Sequence, residues 1–152
     1  MTEDDGLQRC GLGIRGIAMT VDSFVWLALF MIATLAIGAA TGQVETTANE
    51  VDATVEGTAG TVAFLTWLGL GVGYHTVLEW KYGKTLGKYL VGIEAVEADG
   101  SVLSLRSSLV RNLLRLIDWL PMFYGIAIVL VAISSDHERL GDRLGGTAVV
   151  RN

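Results

Sequence analysis

The sequence predicts a mainly α-helical membrane protein. It has two transmembrane helices, a third helical region broken or re-entrant near Pro121, and a small cytoplasmic β-hairpin joined by a C-terminal strand. Three observations carry this reading. The chain has 152 residues, of which 51% are hydrophobic, and its mean hydropathy is +0.50; a soluble domain this short rarely holds so much apolar character. The apolar residues come in blocks rather than in amphipathic alternation. Lys and Arg gather between residues 81 and 118 and are missing from residues 41–60, the asymmetry that sets membrane topology.

The first helix is predicted over residues 14–40. From 15 to 40 the chain reads RGIAMTVDSFVWLALFMIATLAIGAA, with no charge after Asp22 until Glu45. About 20 apolar residues at about 1.5 Å each cross a bilayer core, so Arg15 falls at one face and Asp22 within. An ionisable group at that depth costs about 2.5–3.5 kcal/mol and faces protein or water rather than lipid. Arg15 and Asp22 are seven residues apart, close to two turns, and share a helix face that Trp26 continues. GAA at 38–40 resembles a signal-peptide cleavage site, but the acidic start, Asp22 and the length of the apolar run favour a retained helix. Residues 1–13 form a polar tail. GLGIRG at 11–16 fits the dinucleotide-binding pattern literally, yet no strand precedes it. Cys10 is the single cysteine, so no intramolecular disulfide forms; the residues before it fit a lipid-attachment site poorly, and it reads as a free thiol.

Residues 41–60 carry Glu45, Glu50, Asp52 and Glu56 with no Lys or Arg, which makes them an outer loop. The second helix is predicted over 61–80. Gly69 and Gly73 form a G-x-x-x-G, a close-contact face for the first helix or for a second copy of the chain. His75 and Glu79 are an i,i+4 pair at the inner end. They read either as a proton relay or half a metal site, or as a polar end beside Trp80 and Tyr82. Two ligands do not make a site, so the polar end is favoured and neither metal nor cofactor is expected.

Lys81, Lys84, Lys88, Arg106, Arg111 and Arg115 place residues 81–118 in the cytoplasm, with the N-terminus beside them. GKT at 83–85 lacks the upstream glycine of a P-loop. Residues 88–105 read as a β-hairpin: Tyr89, Val91, Ile93 and Val96 on one arm, Asp99-Gly100 at the turn, Val102 and Leu103 on the other. Ser104 is a candidate N-cap. The helix after it is amphipathic, with Arg111, Arg115 and Asp118 on one face, as in a helix lying in the membrane interface. Its arginines face lipid phosphates, or else Asp22 and Asp142. Pro121 interrupts a helical hairpin over 105–135, because 122–135 is short for a full span. The tail 136–152 carries Arg139, Arg143 and Arg151 back to the cytoplasm, where TAVVR at 147–151 reads as a strand with only the hairpin to pair with. Residues 14–152 thus make a single multi-pass domain of the cell membrane with both termini inside.

Four stretches together resemble the RDD family of small membrane proteins, named for one arginine and two aspartates. They are RGIAMTVDSF at 15–24, GKTLGKYLVGIEAVEADGSVLSL at 83–105, RNLLRLIDWLP at 111–121 and ERLGDRLGGTAVV at 138–150. The resemblance implies that Arg15 and Asp22 are the arginine and first aspartate. Asp142, in the LGDRLGGT block, is taken as the second, with Asp118 competing. It also implies transport of small ligands or ions, including cation/proton exchange, as a suggested activity.

A net charge of −5 with no basic stripe argues against a nucleic-acid partner. The favoured function is a structural or adaptor module. In it Arg15 pairs with Asp142 or Asp118, Asp22 pairs with a cytoplasmic arginine, and the network pins the parts together. The alternative is exchange of a monovalent cation for a proton at Asp22, with Arg111, Arg115, Asp118 and Asp142 shaping the mouth. Two spans enclose little room, so a pathway would need a homo-oligomer, for which Gly69 and Gly73 offer an interface. A lipid-acting enzyme built on Asp22, His75 and Glu79 finds no nucleophile motif, phosphate loop or ligand cluster in support, and no enzyme is expected. The remaining partner is the lipid bilayer.

Overall fold

The computed structural model describes residues 10–47, 49–118 and 146–151. Helix α1 covers Leu12–Thr41 and helix α2 covers Gly57–Tyr82. Both are long and apolar enough to cross a membrane. The other elements are short: β1 (Glu45–Thr46), β2 (Val51–Asp52), α3 (Leu86–Leu90), β3 (Ile93–Glu97), α4 (Leu105–Asp118) and β4 (Thr147–Arg151). The chain divides into two compact units, one of Asp22–Gly73 and one of Met1–Val21 with Tyr74–Asn152.

In the unit of Asp22–Gly73, aromatic rings join α1 to α2. The Trp26 and Trp67 rings meet edge to face at 5.4 Å, Phe30 meets Trp67 at the same distance, and the Trp67 indole N–H donates to the Trp26 carbonyl at 3.0 Å. A buried indole seeks an acceptor, and a helix carbonyl supplies one here. Gly71 makes room for this packing, since a Cβ there would overlap the Trp26 ring. Among the described residues, Gly69 and Gly73 have no atom near such a Cβ. Among the described residues the close contact with α1 falls on Gly71, half a turn round the helix from Gly69 and Gly73. The loop also departs from expectation. Glu45 pairs with Asp52 and Thr46 with Val51 in a minimal hairpin, and α2 starts at Gly57 rather than at 61.

In the other unit, β3 pairs antiparallel with β4, from Ile93 opposite Arg151 to Glu97 opposite Thr147. The C-terminal strand thus joins the middle of the chain as expected, and both strands lie on the same side of any membrane. The hairpin itself is corrected. Tyr89 and Val91 are not on a strand: Thr85, with extended backbone, accepts from the Lys88 N–H and caps α3 over 86–90. The return arm shrinks to one bridge, Val96 to Val102. The Asp99-Gly100 turn survives, with the Asp99 carboxylate accepting from the Ser101 N–H at 2.9 Å and Gly100 at φ 81°. Ser104 does cap α4, its hydroxyl oxygen accepting from the Ser107 N–H at 3.1 Å.

The core of this unit is small. Ala18 of α1 packs with Ile93 and Val149 from the sheet, flanked by Cys10, Ile14 and Val91. The Cys10 N–H donates to the Val149 carbonyl at 3.0 Å, so the chain is already tied down before Leu12 and the expected polar tail does not extend to residue 13. The region around Pro121 lies outside the described residues.

Candidate functional site

Glycine ends α2 and so positions the site. Gly83 takes a positive φ of 70°, which only glycine adopts without strain, and its N–H donates to the Glu79 carbonyl at 2.8 Å. Its own carbonyl accepts from Ala95 of β3 at 2.6 Å. The chain turns back at once, and α3 brings Lys88 against the last turn of α2.

Glu79 is the centre. It is 0% exposed. Its Oε1 accepts from Lys88 Nζ at 2.7 Å, and its Oε2 from Asn112 Nδ2 at 3.1 Å, with Arg111 Nε 3.6 Å away. Lys88 and Arg111 are themselves only 5% and 8% exposed. A carboxylate removed from water is tolerable only when paired and hydrogen-bonded, and both oxygens meet that condition. One turn earlier, Arg115 Nη1 lies 2.7 Å from His75 Nδ1. A guanidinium only donates, so Nδ1 is the acceptor and His75 is the neutral tautomer protonated at Nε2. The Ser108 hydroxyl donates to the Thr76 carbonyl at 2.9 Å, and Asn112 donates also to the Ser108 carbonyl at 2.9 Å.

Burial pushes the Lys88 ammonium down to about 7 from its ordinary 10.5, aided by the Arg111 guanidinium and opposed by Glu79. A group so placed exchanges its proton near neutrality beside a fixed carboxylate. No cluster of three metal-ligating side chains occurs among the described residues.

The match to known families can now be stated. The model of the RDD family matches residues 9–146. The chain belongs to the RDD family. With its two apolar helices, that membership is what a membrane protein shows. Neither a curated protein nor a solved structure matches the chain.

Within this RDD chain, Arg15 and Asp22 are both buried in α1, and they fall in different units. Asp118 closes α4; Asp142 lies outside the described residues. The expectations for Arg111 and Arg115 change. Among the described residues Arg111 meets Glu79 and Arg115 meets His75, while the expected partner Asp142 lies outside them. His75 and Glu79 are both buried within the protein, while Trp80 and Tyr82 beside them are exposed.

Ser108 and Asn112 carry no expectation from the sequence, and Lys88 enters there only as part of the basic excess of residues 81–118. Their signal was present in muted form. Ser108 and Asn112 sit four apart on the α4 face that also carries Arg111 and Arg115, a polar stripe too rich for a helix whose apolar face was taken to be the buried one.

Proposed function

We propose that this RDD protein is a non-enzymatic structural or adaptor module of the membrane. In this reading the Glu79 cluster locks the inner end of α2 to α3 and α4, and through Gly83 to the β3–β4 sheet. The observation that carries it is the full engagement of Glu79: one buried carboxylate bridges three side chains from two further helices. A site built to bind and release leaves ligand positions open, whereas this one is closed by its own chain. The sheet is then a rigid platform for a partner. The basic excess of residues 81–118 supports placing it in the cytoplasm with both termini, on a chain that crosses the membrane more than once.

A second reading, exchange of a monovalent cation for a proton, is favoured by Lys88, whose ammonium can give up its proton near neutral pH. Asp22, buried within the first span at 3% exposure, remains its proposed intramembrane site. Both readings are tested in liposomes containing purified protein, with Asp22→Asn and Glu79→Gln as variants. The module reading expects no cation-driven proton movement above empty liposomes, and a lowered melting temperature for Glu79→Gln. Saturable flux that a folded Asp22→Asn variant loses would overturn it in favour of exchange.

A further inference from the structure

Helices α3 and α4 are built inside out. In α4, Ser108, Arg111 and Asn112 are buried, while Leu105, Leu109 and Leu113 are exposed, one above another at every fourth residue. In α3, Lys88 is buried while Leu86, Tyr89 and Leu90 are exposed. A helix on a water-soluble protein turns its apolar stripe to the core and its charges outward. Here two helices in succession do the reverse: the buried Lys88, Ser108 and Asn112 are hydrogen-bonded, and Arg111 lies against the Glu79 carboxylate.

The depth of these helices follows from α2. Its 26 residues extend about 39 Å at 1.5 Å per residue, against a hydrocarbon core of about 30 Å. Its end therefore reaches the headgroup layer, where exposed Trp80 and Tyr82 are the side chains expected. Three residues separate α2 from α3, a reach of about 10 Å at most. The Ser108 hydroxyl meets the carbonyl of Thr76, six residues before α2 ends, so α4 lies alongside the last turns of α2 rather than beyond them. Arg106, exposed next to Leu105, can extend its head to a phosphate while its stem stays on apolar surface.

We propose that α3 and α4 lie in the headgroup–acyl boundary of the leaflet in which α2 ends, with Leu86, Tyr89, Leu90, Leu105, Leu109 and Leu113 seated against lipid. The occupant of this face is the bilayer, because α4 is bonded alongside the last turns of α2, a helix long and apolar enough to cross a membrane. The inference rests on the membrane reading of the two long helices and is independent of which function the cluster serves.

The test places a bimane probe on single cysteines in a Cys10→Ser background: Leu86→Cys, Leu109→Cys, Leu113→Cys, and two references, Phe24→Cys in α1 and Asp99→Cys at the exposed turn. The purified protein is reconstituted in phosphatidylcholine vesicles, and folding of each variant is checked by circular dichroism. The α3 and α4 probes should be quenched by a lipid carrying a nitroxide high on its acyl chain, and several-fold less by iodide than the Asp99→Cys probe. Iodide quenching equal to that of Asp99→Cys would overturn the proposal. So would shielding from both quenchers, which would mean a second copy or another protein covers the face. Phe24→Cys separates the failures: if it too lies in water, the membrane reading itself falls.

Discussion

Lys88 Nζ lies 2.7 Å from Glu79 Oε1, nine residues away round the end of α2, with both side chains sealed from solvent. The pair converts a helix terminus into an anchor for everything that follows it. Removing one member of a buried ion pair costs about 3–5 kcal/mol, because the other is left without its counter-charge. Glu79→Leu should therefore lower the melting temperature of the detergent-solubilised protein strongly. Lys88→Met should cost less, since Asn112 and Arg111 still face the carboxylate. The double variant should be more stable than the sum of the two losses predicts; strict additivity would show that the pair is not coupled.

The same lysine gives a pH dependence with a definite sign. Its folded value is depressed to about 7 from 10.5. Between these values the unfolded chain binds the extra proton, so stability rises with pH across that window and levels off above it; below about 7 the penalty for burying the charge is complete. The slope approaches about 1.4 kcal/mol per pH unit in mid-window. Denaturation followed from pH 6 to 10 (approximate limits set by that window) should show the rise in the wild type. The rise should be missing in Lys88→Met.

Arg115 and His75 form a second, separable contact at 2.7 Å. His75→Leu removes the acceptor and should destabilise by about 1.5–3 kcal/mol, the usual worth of a hydrogen bond to a charged group. His75→Asn, which retains an acceptor, should lose less. Nitrogen NMR of labelled His75 should give the signature of a ring protonated at Nε2; a ring protonated at Nδ1 would contradict the contact.

Three glycines of α2 should respond differently to alanine. Gly71→Ala drives a Cβ into the Trp26 ring, an overpacking worth about 1–3 kcal/mol. Gly69→Ala and Gly73→Ala meet no atom among the described residues and should gain up to about 1 kcal/mol of helix propensity. If a second copy uses the Gly69–Gly73 face, Gly69→Leu should shift cross-linked dimer to monomer without lowering the melting temperature.

The two long helices were readable because hydropathy is a local property, and the C-terminal strand because TAVVR had only one segment to pair with. Helix α3 was hidden because Tyr89 and Val91 begin an alternation of β-favouring side chains that Ile93 continues; the capping geometry of Thr85 overrides that preference. The Glu79 cluster was half readable. The i,i+4 spacing of His75 and Glu79 is visible in sequence, but Asn112 and Arg115 reach them across separations of 33 and 40 residues. Lys88 and Arg111 were counted toward the charge that orients the chain, and they are spent in the interior. Lys or Arg near a span looks the same in sequence whether it meets water or a carboxylate.

The hydrogen bond from Cys10 to Val149 joins positions almost the whole described chain apart, and it sets an order of assembly. Synthesis at about 5–20 residues per second leaves a wait of several seconds between the emergence of Cys10 and that of its partner. The start of α1 waits through all of that interval, and β3 has a bare edge through its last part, from residue 97 to residue 147. The Glu79 cluster, whose members all lie before residue 113, can form first. The sheet can be sealed only once β4 has followed β3 out of the ribosome. Until then the nascent protein presents an open strand edge.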